Sequence, residues 1–287
     1  MEKDLFLQEI IPLIQELVPS GFTVVEKVQM KNNGTIRSGL TLKKETGRGT
    51  FPFVYIDPLY EAFLQGCLLE ELALDTAHRL CEKAPGHPFS DRTPTADEVR
   101  RLAVFRLVNR DRNDEFLREI VSRDFLDLSL LYGLYSENEA GESTVFFMKK
   151  ALLPALGLTE EELFSCAFRN SLRCFGETLE GIHERILPAE GEEWMYILTN
   201  RFRLYGAAAL IYGSALKKLA GEKGRDILVL PSSIHELILT PLEEGPYDYL
   251  DELIKTVNDS STAPEDVLSD HAYVYRRETD RIEIFRA

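Results

Sequence analysis

Apolar residues recur at helical spacing over residues 3–18, where Leu5, Phe6, Ile10, Leu13, Ile14 and Leu17 share one stripe before Pro19-Ser20-Gly21 ends it. The period then falls to two. FTVVEKVQM and TIRSGLTLKK alternate apolar and polar positions on either side of Asn32-Asn33-Gly34. Asn-Gly suits a tight hairpin turn because both central positions take positive φ. A short strand, FVYI, follows, and Asp57-Pro58 is expected to open a long helix over 58–82 with Asp57 as its cap. Three prolines and several turn formers in APGHPFSDRTPTAD mark residues 84–97 as an extended loop or lobe boundary.

Beyond that loop, Thr95 and Glu98 match the outer positions of a capping box. The pattern predicts strands near 103–109, 124–133 and 143–148, and helices over 112–121, 149–156 and 159–174, the last capped by Thr159. In the final hundred residues WMYILTN, DILVL and IHELILTP read as strands, with PSS as a corner. GAAALIYGSALKKLAGEKG and YDYLDELIKTVND read as helices, PEDVL as a short turn of helix, and HAYVYRRETDRIEIF as a hairpin. The order β-α-β-β-α-β-β points to an α+β fold: mainly antiparallel sheets with helices packed on one face, in a single composite domain spanning 1–287.

Charge narrows the choice of partner. Asp and Glu number 48 against 33 Lys and Arg, a formal net charge of -15. A field of that sign repels phosphate backbones and anionic lipid heads, so it disfavours nucleic acid and membrane surfaces. The distribution is uneven: 241–270 holds nine acids and one Lys, a local net of -8, while 100–123 holds seven Arg against four acids. The acidic stretch admits a reading as a nucleic-acid mimic. For the arginines, salt bridges to the acidic C-terminal third are preferred over RNA, because no ribonucleoprotein-type aromatic motif accompanies them.

The N-terminal segment is acidic and amphipathic, unlike a secretory signal, and no apolar run approaches the ~18 residues of a membrane span. Cys67, Cys81, Cys166 and Cys174 form no C-x-x-C pair. Reduced, mostly buried thiols in the cytoplasm are the expectation.

The richest local chemistry is Pro231-Ser232-Ser233-Ile234-His235-Glu236, which joins two hydroxyls, an imidazole and a carboxylate at a corner after an apolar strand. Ser232, Ser233, His235 and Glu236 are therefore the candidate catalytic residues of a small hydrolase or metal-dependent enzyme. His235, Glu236, Asp270 and His271 together offer two imidazoles and two carboxylates, enough for a metal on composition alone. The competing view of His235 is a hydrogen-bonded structural residue, and it leads. On a strand, His235 and Glu236 would face opposite ways. Position 239 is Leu239, so H-E-x-x-H is absent. His183-Glu184 is expected in an exposed loop, His87 in the boundary loop and His78 within the long helix. No G-x-S-x-G, P-loop or G-x-G-x-x-G occurs, and no cofactor is expected. Asn200 to Gly206 opens a helix directly after a strand, where free backbone N–H groups could receive an anion.

Leu198-Thr199-Asn200, Gly206-Ala207-Ala208, Leu230-Pro231-Ser232-Ser233-Ile234-His235-Glu236, Val257-Asn258 and Val267-Leu268-Ser269-Asp270 together form a pattern. Earlier signposts are Lys31-Asn32-Asn33-Gly34, Leu107-Val108-Asn109 and Phe125-Leu126-Asp127-Leu128. With these residues the chain resembles a bacterial family of unknown function from gut-dwelling Firmicutes, over nearly its whole length. The resemblance implies a bacterial cytoplasmic protein and transfers no activity and no catalytic residues. The functional expectation is a non-enzymatic binding protein whose partner is another protein or a second copy of this chain.

Overall fold

The computed structural model describes residues 1–45, 51–82, 89, 92–137, 143–185 and 193–286. His87 lies outside them. The chain divides into two compact units, Met1–Gly86 and His87–Ala287.

In the first unit, helix α1 (Lys3–Leu17) buries Phe6, Ile10 and Ile14. Strands β1 (Phe22–Met30) and β2 (Ile36–Lys44) pair antiparallel from Phe22↔Lys44 to Met30↔Ile36, and β3 (Val54–Tyr55) joins the edge of β2. The turn at Asn33 and Gly34 has φ values of 58° and 66°. The long helix expected over 58–82 is instead two helices, α2 (Ile56–Leu64) and α3 (Leu69–Cys81). Gly66 adopts φ 100° between them, a conformation no helix accommodates. Asp57 lies in the first turn of α2 and caps nothing; it pairs with Lys3 and, at 3.6 Å, with Arg37. The hydrogen bond from Lys3 leads the interactions that hold its carboxyl below the usual range.

The second unit runs through α4 (Ala96–Leu102), β4 (Ala103–Asn109), α5 (Asp114–Glu119), β5 (Ser122–Phe125), β6 (Leu128–Glu137), β7 (Ser143–Phe147), α6 (Leu152–Ala155) and α7 (Glu160–Phe175). It continues with β8 (Thr178–Gly181), α8 (Ile182–Arg185), β9 (Tyr196–Thr199), α9 (Ser214–Lys223), β10 (Ile227–Leu230), β11 (Leu237–Pro241), α10 (Leu250–Ser261), β12 (Tyr273–Arg276) and β13 (Arg281–Ile284). Strands β4, β6 and β5 lie side by side, with β7 also on β6. A six-stranded sheet has the order β13-β12-β10-β11-β9-β8, and every pairing in it is antiparallel. The protein is an α+β fold.

Local chemistry fixes several ends. Thr95 closes a complete capping box: its hydroxyl accepts from the Glu98 N–H at 3.3 Å, and the Glu98 carboxylate accepts from the Thr95 N–H at 2.8 Å. Thr159 caps α7 by accepting from the Glu162 N–H, a contact worth about 1 kcal/mol. Helix α7 is stitched to β4 by Asn170, which donates to the carbonyls of Arg100 and Ala103, and by Ser171, which accepts from the Phe105 N–H.

Four expectations need correction. The strand read over 124–133 is two strands, because the chain reverses at Leu126-Asp127 with Leu126 at φ 56°. The helix read from Gly206 is a 3-10 turn (Gly206–Ile211) followed by α9, separated where Gly213 adopts φ 73°. Helices cover both faces of the larger sheet. Ile227 and Val229 of β10 join the main core with Leu216 and Leu219 of α9, while Leu228 packs on the other side with Leu250 and Ile254 of α10. The unbroken apolar run ILVL carried that information, since a strand buried on both faces does not alternate. Finally, the four cysteines are free, but only Cys166 is buried and Cys174 half-buried; Cys67, between two helices, and Cys81, at a helix end, are exposed.

The arginines of 100–123 are mostly neutralised close by. Arg100 pairs with Asp97 and Glu162, Arg118 with Asp114, and Arg123 with Glu161. Among the described residues only Arg112 of this group pairs with the acidic C-terminal third, at 2.5 Å from Asp270. The expected salt bridges are real, but their partners are neighbours in the same helices and in α7. Among the described residues no helix is long and apolar enough to cross a membrane.

Candidate functional site

The corner between β10 and β11 places Ser232, Ser233, Ile234, His235 and Glu236 ahead of the strand instead of in it, so the alternation expected of a strand does not apply to His235. Its geometry is fixed by the backbone. Ser233 N–H donates to the Glu236 carbonyl at 3.2 Å, and Ile234 N–H to the Asp266 carbonyl at 2.8 Å. The Ser233 hydroxyl is turned back to accept from the His235 N–H at 3.0 Å. Ser232 and Glu236 are half-buried.

Both nitrogens of the His235 ring face protein groups. Nδ1 lies 3.0 Å from the Tyr205 backbone nitrogen, and an N–H can only donate, so Nδ1 carries the lone pair. Nε2, 3.2 Å from Asp266 Oδ1, then carries the proton. A general base needs a nitrogen lone pair aimed at a nucleophile, and here that lone pair is spent on the backbone. The ring holds the loop 200–205 in place. His235→Phe, which keeps the ring but removes both hydrogen bonds, is expected to lower stability by about 1–3 kcal/mol. Urea unfolding reads this directly; a variant as stable as the wild type would release the ring for chemistry.

Asp270 and His271 occupy different networks. Asp270 receives Arg112 at 2.5 Å and Asn258 at 2.9 Å. His271 Nε2 is 2.9 Å from Asp127 Oδ2, and its Nδ1 is 3.2 Å from the Ala272 carbonyl. Both ring nitrogens therefore meet acceptors, an arrangement that suits the doubly protonated ring. The hydrogen bond to Asp127 leads in raising the His271 pKa. Burial works to raise the Asp127 carboxyl, but donation from His271 and from Tyr273, at 2.9 Å, outweighs it and holds that carboxyl low. The fold thus does not gather His235, Glu236, Asp270 and His271 into one ligand set. Among the described residues no group of three or more His, Cys, Asp or Glu is placed to hold a metal ion. His183, expected on an exposed loop, is half-buried at the start of α8, its ring Nδ1 3.6 Å from Glu193. His78 is on α3, 3.5 Å from Glu82.

The loop that His235 supports forms one wall of a pocket of about 320 Å³. Phe105, Arg106, Tyr135, Phe175, Phe202 and Tyr205 are among its lining residues. Asn200 shapes the loop from within: its Oδ1 accepts from the Phe202 and Leu204 N–H groups and its Nδ2 donates to the Leu204 carbonyl. Arg203 and Tyr205 both sit in the left-handed region, with φ of 53° and 54°, which costs on the order of 1 kcal/mol each for residues with a Cβ. The N–H groups of 201–205 are thereby committed, to Phe175, Asn200 and His235, so these backbone donors, expected to be free for an anion, are taken.

The pocket's positive charge comes from a side chain instead. Arg106 of β4 is largely buried, and its guanidinium lies 3.7 Å from the centroid of the Tyr205 ring and 5.5 Å from that of Phe147. Among the described residues no carboxylate pairs with it, and burial moves its pKa down from the ordinary arginine value. Tyr135 donates to Glu137 at 2.7 Å, and burial together with that bond pushes its phenol up to about 12. Sequence reasoning counted Arg106 with the surface arginines. The signal that could have separated it is its place inside AVFRLV, a charge within an otherwise apolar strand.

No curated protein and no solved structure matches the chain. Residues 3–277 match the family of unknown function DUF5688, from the first turn of α1 to just past β12. That span takes in the corner, the Asp127 network and every lining residue of the pocket, so the chain belongs to the DUF5688 family, a family of unknown function.

Proposed function

We propose that this chain is a non-enzymatic binding protein of the bacterial cytoplasm and that the pocket beside the His235 corner is where it takes its ligand. One observation carries the reading. A concavity of about 320 Å³ is walled by Phe105, Phe175, Phe202 and Tyr205, while Phe202 and Leu204 remain 54% and 52% exposed at the same loop. Apolar side chains held in the open by a strained loop whose N–H groups are hydrogen-bonded within the protein are more readily explained by a ligand than by packing. Binding is favoured over hydrolysis because the Ser233 hydroxyl and His235 Nδ1 are turned to backbone N–H groups and His235 Nε2 to Asp266.

Fragment screening of the full chain by NMR tests this. Binders are expected to perturb the amides of Phe175, Phe202 and Tyr205, and Phe202→Ala to weaken them by about 5- to 10-fold, the worth of one aromatic contact. A diverse library yielding no binder at these residues would end the reading.

A further inference from the structure

We propose that the ligand is a small organic carboxylate, an apolar or aromatic body ending in one carboxyl group, and that the carboxylate seats on the Arg106 guanidinium. This rests on the pocket being the ligand site and says what kind of molecule fills it.

Among the described residues Arg106 is the only charged one lining the pocket, in a chain whose formal net charge is -15. A cation kept largely out of water without a counter-ion is costly, and structures normally supply one. Here the described residues supply Tyr205 instead, with its ring centroid at 3.7 Å and its hydroxyl also interacting with the guanidinium. Stacking uses the flat face of a guanidinium. The N–H groups that the Tyr205 hydroxyl leaves lie in the plane of the guanidinium, in the fork that receives a carboxylate through two parallel hydrogen bonds.

Charge matching selects the class. One positive charge balances one carboxylate, whereas a phosphate monoester brings nearly two negative charges to a site with no second cation among the described residues. Phe105, Phe175, Phe202 and Val145 leave the rest of the space to an apolar body. The size is that of a small-molecule site, at the low end of the roughly 300–1,000 Å³ that such pockets span.

Three probes of one shape separate the possibilities: 4-fluorobenzoate, the neutral 4-fluorobenzamide and 4-fluorophenyl phosphate, each titrated into the full chain by fluorine NMR. The benzoate is expected to bind at least about 10-fold more tightly than the benzamide, and to weaken with added salt while the benzamide does not. Arg106→Gln should reduce the benzoate to the level of the benzamide and leave the benzamide unchanged, with Arg106→Lys in between. Should Arg106→Gln fail to fold, the benzoate-to-benzamide ratio of the wild type decides. Equal binding of benzoate and benzamide overturns the carboxylate and leaves the apolar pocket standing. Tighter binding of the phosphate also overturns it. Failure of all three to bind removes the pocket as a ligand site, and the carboxylate with it.

Discussion

Gly206→Ala is expected to destabilise the C-terminal unit by about 3 kcal/mol or more, a large effect for a single methyl group. A Cβ at this position would stand 2.6 Å from the His235 carbonyl oxygen and 2.7 Å from the Asn200 nitrogen, and would also strike the Thr199 hydroxyl. Two of these are backbone atoms, and neither is free to move. The His235 carbonyl already accepts from the Thr199 hydroxyl at 2.7 Å, and the neighbouring Ala207 N–H donates to the Ile234 carbonyl at 3.2 Å. The end of β9, the corner before β11 and the 3-10 turn from Gly206 thus converge on one point with no space for a side chain. Thermal unfolding should show the midpoint lower by roughly 6–12 °C. A shift within about 1 °C would mean that these backbones separate easily and that the loop wall of the pocket is soft.

The second large effect belongs to Asp127, which joins the turn between β5 and β6 to the start of β12. Its carboxylate accepts from His271, from Tyr273 and, at 3.5 Å, from Ser269. Asp127→Ala leaves the Tyr273 hydroxyl without its acceptor and strips the His271 ring of its counter-ion. The cost is expected to be about 3 kcal/mol, and about half that for Asp127→Asn, which keeps an acceptor oxygen.

The penalty should also depend on pH. The folded pKa of His271 is raised, so its contribution is complete below the ring's ordinary value near 6.5 and is lost as pH rises through the folded value. The folded pKa of Asp127 is lowered, so its contribution holds above the ordinary carboxyl range and is lost as pH falls through the folded value. The pair is therefore strongest in mildly acidic solution. Urea titrations should give a larger penalty for Asp127→Asn at about pH 6 than at about pH 9. A penalty that is flat, or that grows toward alkaline pH, would contradict a charged His271.

Where local patterns carried the structure, the sequence was readable. The stripe of α1, the Asn33-Gly34 hairpin, the cap at Thr159 and the strands from 196 onward all follow from periodicity and turn chemistry. The reversal at 126–127 did not, because the chain turns on Leu126 and Asp127, without the Gly or Pro that announces most turns. Tertiary contacts hold Leu126 in a conformation its side chain disfavours: Arg110 donates to the Leu126 carbonyl, and the next residue's carboxylate is tied to β12.

The candidate site was legible only in part. His235 and its corner stand out by composition, yet their partners, Tyr205 and Asp266, are 30 and 31 residues away in sequence. Arg106 looked like one of seven arginines, because its distinguishing property is an environment built by a loop a hundred residues later. Pairings of that kind arise from the fold and leave no local pattern.

The strand order of the larger sheet bears on how the protein is made. Strand β10 lies between β11, its close successor in the chain, and β12, which follows only after α10. During translation the ILVL segment pairs on one side as soon as β11 leaves the ribosome, but its other margin stays bare until Tyr273–Arg276 appears. A bare apolar margin invites strand exchange with neighbouring nascent chains. The stretch synthesised in that interval, 241–270, carries a local net charge of -8, and mutual repulsion between such segments would oppose that exchange.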